Sequence, residues 1–119
     1  MSWLSPEEFE VLVEEALVSL PRRFLALVEN VAVVVEDEPT PEDLDATGTE
    51  GGELFGLYQG LSLPERGAWY GNVLPDRIVL FRGPLLRHCR TRSQLKAEIQ
   101  ATVIHELGHY FGLDEEVLP

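Results

Sequence analysis

Ala101-Thr102-Val103-Ile104-His105-Glu106-Leu107-Gly108-His109-Tyr110-Phe111 is apolar nearly all round as a helix, and a helix of that kind belongs at the centre of a domain. It ends the longest helix-like pattern in the chain. That pattern takes Ser93 as its N-cap and carries Leu95, Ile99 and Val103 as an early apolar stripe. Within it, His105 and His109 stand four residues apart. On an α-helix that is about 400° of rotation and roughly 6 Å of rise, so both imidazoles project from nearly the same side. Two neutral imidazoles so placed can hold one Zn²⁺. Glu106, beside the first, is then positioned to meet a water on the ion. Two histidines and a glutamate on a buried helix cost stability unless their desolvation is compensated, and a metal would compensate it. The bland alternative is a pair of satisfied core or surface histidines beside a solvated glutamate.

The residues that follow favour the metal. Gly112 suits a helix C-cap in the left-handed conformation, which lets the chain turn back. Leu113, Asp114, Glu115 and Glu116 come next. Catalytic zinc sites keep three protein ligands and an open fourth position, and two histidines with a carboxylate are one established set. Glu115 is the third ligand on spacing, because it stands where the pattern H-E-x-x-H-x-x-G-x-x-H has its last histidine. Asp114 is the second choice, and its shorter side chain demands a different turn. The chemistry expected is hydrolysis: metal-activated water attacks a peptide bond, and Glu106 acts as general base. Tyr58, Tyr70 and Tyr110 are the tyrosines available to stabilise an oxyanion.

Upstream, Ser5-Pro6-Glu7-Glu8 is a helix start, and Phe9, Leu12, Val13, Ala16, Leu17 and Leu20 form one apolar face behind it. A short second helix is expected over Pro21 to Glu29. Val31 to Val35 is apolar throughout and reads as a strand buried on both faces. Glu36 to Glu53 contains eight acids, two prolines, three glycines and no Lys or Arg. It reads as an acidic, mobile loop without the spacing of a calcium loop. Leu54 to Gly60 is a second strand, whose glycines suggest a bulge or a close backbone approach. Arg77 to Arg82 is a third strand. Arg82, Arg87, Arg90 and Arg92 make the one basic stretch. They read as a solvated connector, with pairing to the acidic loop or an acidic substrate as alternatives. His88-Cys89 inside that stretch is a weak metal signal.

Composition limits the function classes. The chain has 119 residues, with 21 acidic against 9 basic and a net charge of −12. Its length suits one domain, residues 1–119, and its 45% apolar content suits one modest core. A strongly acidic chain lacks the basic footprint that nucleic acid or an anionic membrane requires. A single cysteine excludes an internal disulfide and fits a reducing compartment. No signal-peptide pattern and no apolar run of about 18 residues is present, so a cytoplasmic location is expected.

His105-Glu106-Leu107-Gly108-His109-Tyr110-Phe111-Gly112-Leu113-Asp114-Glu115 resembles the signature of a family of short bacterial zinc metallopeptidases with a minimal zincin-like fold. The likeness extends to Phe9–Pro21, Asn30–Pro39, Leu57-Tyr58-Gln59-Gly60 and Leu74–Arg87. The resemblance implies an α+β domain, with a small mixed sheet packed against an N-terminal helix and a C-terminal metal-binding helix. It also implies zinc ligands at His105, His109 and Glu115, a catalytic Glu106 and a peptide or protein substrate. In zincins an extended substrate commonly lies along a sheet edge, which would be the strand at Leu54–Gln59 or the one at Arg77–Arg82. The sequence departs from metzincins in its acidic third ligand and in having Met1 as its sole methionine. With four residues after Glu115, a shallow cleft is expected. The rival readings are a metal-binding protein without catalysis and a protein–protein adaptor that keeps a vestigial motif.

Overall fold

The computed structural model describes residues 3–29, 31–47, 53–60 and 77–111, with the backbone alone at 46, 47 and 109–111. The order of elements is α1 (Pro6–Val18), α2 (Arg22–Val28), β1 (Ala32–Glu36), α3 (Pro41–Thr47), β2 (Gly56–Gln59), β3 (Arg77–Phe81), α4 (Arg82–His88) and α5 (Arg92–Phe111). The three strands form one mixed sheet in the order β1-β3-β2. β1 runs parallel to β3, and β2 runs antiparallel to it. This is the expected small α+β domain.

The core is built on α5. Leu95, Ile99, Val103 and Leu107 recur every four residues along it, and each is fully buried. They pack in one cluster with Phe9, Leu12, Val13 and Ala16 of α1, Phe24 and Val28 of α2, and Ile78 and Leu80 of β3. The α1 face read from the sequence is therefore the packed face. Ser5 caps α1 through a reciprocal box: its hydroxyl accepts from the Glu8 N–H, and the Glu8 carboxylate accepts from the Ser5 N–H, both at 3.1 Å.

Several expectations change. The strand at residues 31–35 is not buried on both faces. β1 lies at the sheet edge and is only half-buried, with Ala32 exposed. The doubly buried strand is β3, which has neighbours on both sides and buries Ile78, Val79, Leu80 and Phe81. The acidic segment from Glu36 to Glu53 is not loop throughout, because α3 forms inside it. The Thr40 hydroxyl accepts from the Asp43 N–H, and the Asp43 carboxylate accepts from the Thr40 N–H. An Asp at the third helical position takes the place of the usual Glu or Gln, a variant that hides the capping box. α5 starts before Ser93: Thr91 caps it, accepting the Gln94 N–H on its hydroxyl and the Leu95 N–H on its carbonyl. The basic stretch contains a helix, α4, beginning directly at the end of β3.

Arg82 and Arg87 pair with the acidic segment, the alternative to a solvated connector, and Arg92 pairs with an acid of α1. Arg87 makes two hydrogen bonds to Glu38, at 2.7 and 2.9 Å, and reaches Glu53 as well. Arg82 pairs with Asp37, and Arg92 with Glu8. The Gly83 N–H donates to the Asp37 carbonyl at 2.8 Å, and a Cβ on Gly83 would run into the Glu38 carboxylate. Glycine is what lets α4 lie against the end of β1.

Two outcomes follow from this packing. Ile99→Ala should lower unfolding stability by about 2–5 kcal/mol, measured by urea titration, because it empties a site with no solvent access. Arg87→Met should cost about 1 kcal/mol or less near neutrality, since the ion pair is half-exposed. The Arg87 guanidinium holds the Glu38 carboxyl below the usual carboxylate range. That contribution is present above the unfolded value and lost as pH falls through the lowered folded one. The urea midpoints of Arg87→Met and the unaltered protein should therefore converge in acid.

Candidate metal and catalytic site

α5 is unbroken through the H-E-x-x-H stretch, so His105 and His109 sit one turn apart on one helix. The helix is not covered all round. Ala101 and His105, four residues apart, are exposed and mark an open strip, while Glu106, Leu107 and Gly108 are buried. A rotation of about 100° along the helix thus separates an accessible imidazole from a sequestered carboxylate. Helices α1, α2 and α4 and strands β2 and β3 all touch α5, and among the described residues they leave that strip uncovered.

Glu106 is the one buried charged side chain among the described residues, at 8% exposure. A carboxylate withdrawn from water needs donors. One comes from the backbone: the Tyr58 N–H donates to Glu106 Oε1 at 2.8 Å. Its availability follows from the sheet. The Phe81 N–H donates to the Phe55 carbonyl, so that opposed pair is hydrogen-bonded. In an antiparallel ladder such pairs alternate. Tyr58, opposite Ile78, is a non-bonded pair and turns its N–H away from β3. Among the described residues β2 is at the sheet edge, and that N–H meets Glu106 on α5.

The close packing of β2 on α5 depends on Gly56. A Cβ there would lie 2.5 Å from Thr102 Cγ2 and 3.2 Å from the Val79 carbonyl oxygen. The sequence reading offers a bulge or a close approach for the strand glycines, and at Gly56 it is a close approach. Of the two strands offered as the sheet edge, β2 is at the edge and β3 is central.

The remaining sequence candidates divide. Gly112, Asp114 and Glu115 lie outside the described residues, as do Tyr70 and the side chains of His109 and Tyr110. Among the described residues, no group of three or more His, Cys, Asp and Glu is gathered as a metal would need. The Tyr58 ring packs against the core cluster. What sequence reasoning missed at Tyr58 is its main chain, and a backbone donor leaves no signature in residue type. His88 is exposed and sets its ring 4.9 Å from that of Phe55. Cys89 is buried, with its thiol pushed up by burial and by Glu98, so the exposed His88 ring and the Cys89 thiol have different surroundings. The donor chemistry that is present suits zinc. His105 offers an accessible imidazole, a second histidine follows one turn on, and Glu106 is anchored to one side.

Comparison with known proteins gives the family and the fold. The chain resembles a solved structure, a conserved hypothetical protein from Thermo thermophilus, at 28% identity and a TM-score of 0.57. The match covers 88% of this chain and 92% of that one. No curated protein matches the sequence. Residues 28–119, which include β1 to β3, α5 and the whole H-E-x-x-H stretch, match the family described as zincin-like metallopeptidase. The chain belongs to the zincin-like metallopeptidase family.

Proposed function

We propose that the protein is a zinc-dependent peptidase in which His105, His109 and Glu115 hold the metal and Glu106 is the general base. The observation that carries this reading is Glu106 itself: a buried carboxylate on the helix that presents an exposed His105 one residue earlier, held by the edge strand. Membership of the zincin-like family supports it.

A bound zinc would supply Lewis acidity toward the scissile carbonyl and a water that ionises near neutrality. The residues divide the remaining work. His105 and His109, one turn apart, orient two ligand nitrogens, and Glu115 adds a carboxylate from the segment after Gly112. Glu106 accepts the proton of the attacking water on a carboxylate oxygen and returns it to the leaving amine nitrogen. Its burial removes competing water from that oxygen. Among the described residues no helix is long and apolar enough to cross a membrane. With a net charge of −12 and a free, buried Cys89, the reading extends to a cytoplasmic enzyme acting on a peptide, not on nucleic acid or at an anionic membrane surface.

The test is zinc titration by calorimetry beside cleavage of a fluorogenic peptide library. His105→Ala and His109→Ala should each abolish stoichiometric zinc binding, and full occupancy in either would overturn the ligand assignment. Glu115→Ala should weaken zinc more than Asp114→Ala. The reverse order would move the third ligand to Asp114. Glu106→Gln should keep zinc and lower turnover by about 10²–10⁴-fold. Zinc bound by the unaltered protein with no cleavage across the library would leave a metal-binding protein without peptidase activity.

A further inference from the structure

Tyr58 and Glu106 are joined by more than one contact in register. Gly56 and Tyr58 lie two residues apart on β2, and Thr102 and Glu106 lie four apart on α5. Two strand residues advance about 6.7 Å and four helical residues about 6 Å, so the strand and the helix stay in step. Gly56 therefore meets Thr102 where Tyr58 meets Glu106. The first of these contacts sets the spacing at the second. A side chain at position 56 is crowded on both sides. The Thr102 methyl would stand 2.5 Å from the Cβ, with only two helix rotamers open to that side chain, and on the sheet side the Val79 carbonyl oxygen is already 3.2 Å from where the Cβ would stand. The strand would have to move off the helix, and a shift of under an ångström takes a 2.8 Å hydrogen bond to the limit of about 3.5 Å.

We propose that the backbone N–H of Tyr58 is the group that aims the general base, and that Gly56 is the positioning residue that makes its reach possible. This rests on the reading of Glu106 as the base of a zinc peptidase. Holding Oε1 fixes the plane of the carboxylate, and with it the direction in which Oε2 meets the proton of the attacking water. The donor is main chain on a strand pinned to β3, so the donor itself has no rotamer by which to swing away. The arrangement commits an edge N–H, which would otherwise be open to pairing with another strand, to orienting a catalytic carboxylate.

The experiment uses the full-length, zinc-loaded chain, with two readouts. The first is amide hydrogen exchange at Tyr58, read by NMR beside Leu57 and Gln59, which lie on the same strand and pair with β3. Glu106→Ala and Gly56→Ala should each speed Tyr58 exchange at least tenfold while Leu57 and Gln59 keep their protection. Adding Thr102→Ala to Gly56→Ala removes the clashing methyl and should restore Tyr58 protection. The second readout is peptide cleavage. Gly56→Ala should lower kcat by about 10–100-fold, the scale of an ångström misplacement, with KM and zinc affinity within threefold of the unaltered protein, and the double variant should recover most of that kcat. If Gly56→Ala does not fold, Glu106→Asp, which shortens the reach and leaves the strand–helix contact alone, should give the same rise in Tyr58 exchange. A Gly56→Ala enzyme with unaltered kcat, or a Tyr58 amide whose exchange ignores Glu106→Ala, overturns the proposal. A zinc-loaded protein that cleaves nothing overturns the peptidase reading instead, and the exchange data alone then decide whether Tyr58 aims Glu106.

Discussion

The apolar stripe of α5 is the constraint on which the rest depends. Leu95, Ile99, Val103 and Leu107 have no solvent exposure, and α1, α2, α4, β2 and β3 all pack on the helix that carries them. Burying four such side chains is worth about 1.5–3 kcal/mol each, which is large beside the net stability of a small domain. The site draws on the same helix. Because the stripe turns one side of α5 into the core, the residues about 100° away on the helix sit at the margin between core and solvent. Glu106 occupies that margin on one side, and His105 lies beyond it on the exposed strip. On the proposed reading His105 is a ligand to be reached from outside and Glu106 a base best kept from bulk water, and one helical step supplies both conditions.

Embedding a carboxylate beside such a core would be unfavourable without donors. The sheet supplies one through a detail of strand pairing: antiparallel ladders leave alternate N–H groups facing outward, and β2 has no strand beyond it among the described residues. The edge is thus used and not merely tolerated. Gly56 is costly for a strand in conformational entropy, and what offsets that cost is the proximity of two backbones that any side chain would hold apart.

Much of this is legible in the residues. The α1 face, the three strands and the long helix α5 follow from apolar periodicity, which reports burial directly. H-E-x-x-H on a helix places its own residues, because i and i+4 share a side whatever the surroundings. The departures have a common cause. β1 reads as central because five apolar residues in a row say how sticky a strand is, not which strand lies between the others. α3 is hidden because prolines, glycines and acids resemble a loop, while its cap uses Asp43 where the familiar pattern has Glu or Gln. α4 is hidden by its arginines, whose partners are 34 to 49 positions away. Tyr58 is visible as a tyrosine and invisible as an amide, since main-chain donors are assigned by topology and every residue but proline carries one.

Residues far apart in the chain meet in the fold. Arg92 reaches Glu8, the Gln100 side chain donates to the Ala16 carbonyl, and the Trp3 indole donates to the Leu86 carbonyl, each across more than eighty positions. β1 finds its partner β3 about 45 residues downstream. Contacts so distant in sequence need long loops closed before they can form, which slows folding. During synthesis, α1 and α2 leave the ribosome before the helix that they pack against is made. Until α5 emerges, their apolar faces have no central helix to bury them. The segment that completes the core is also the one that carries His105 and Glu106, so a chain stopped short of α5 lacks the centre of the core and both of those residues.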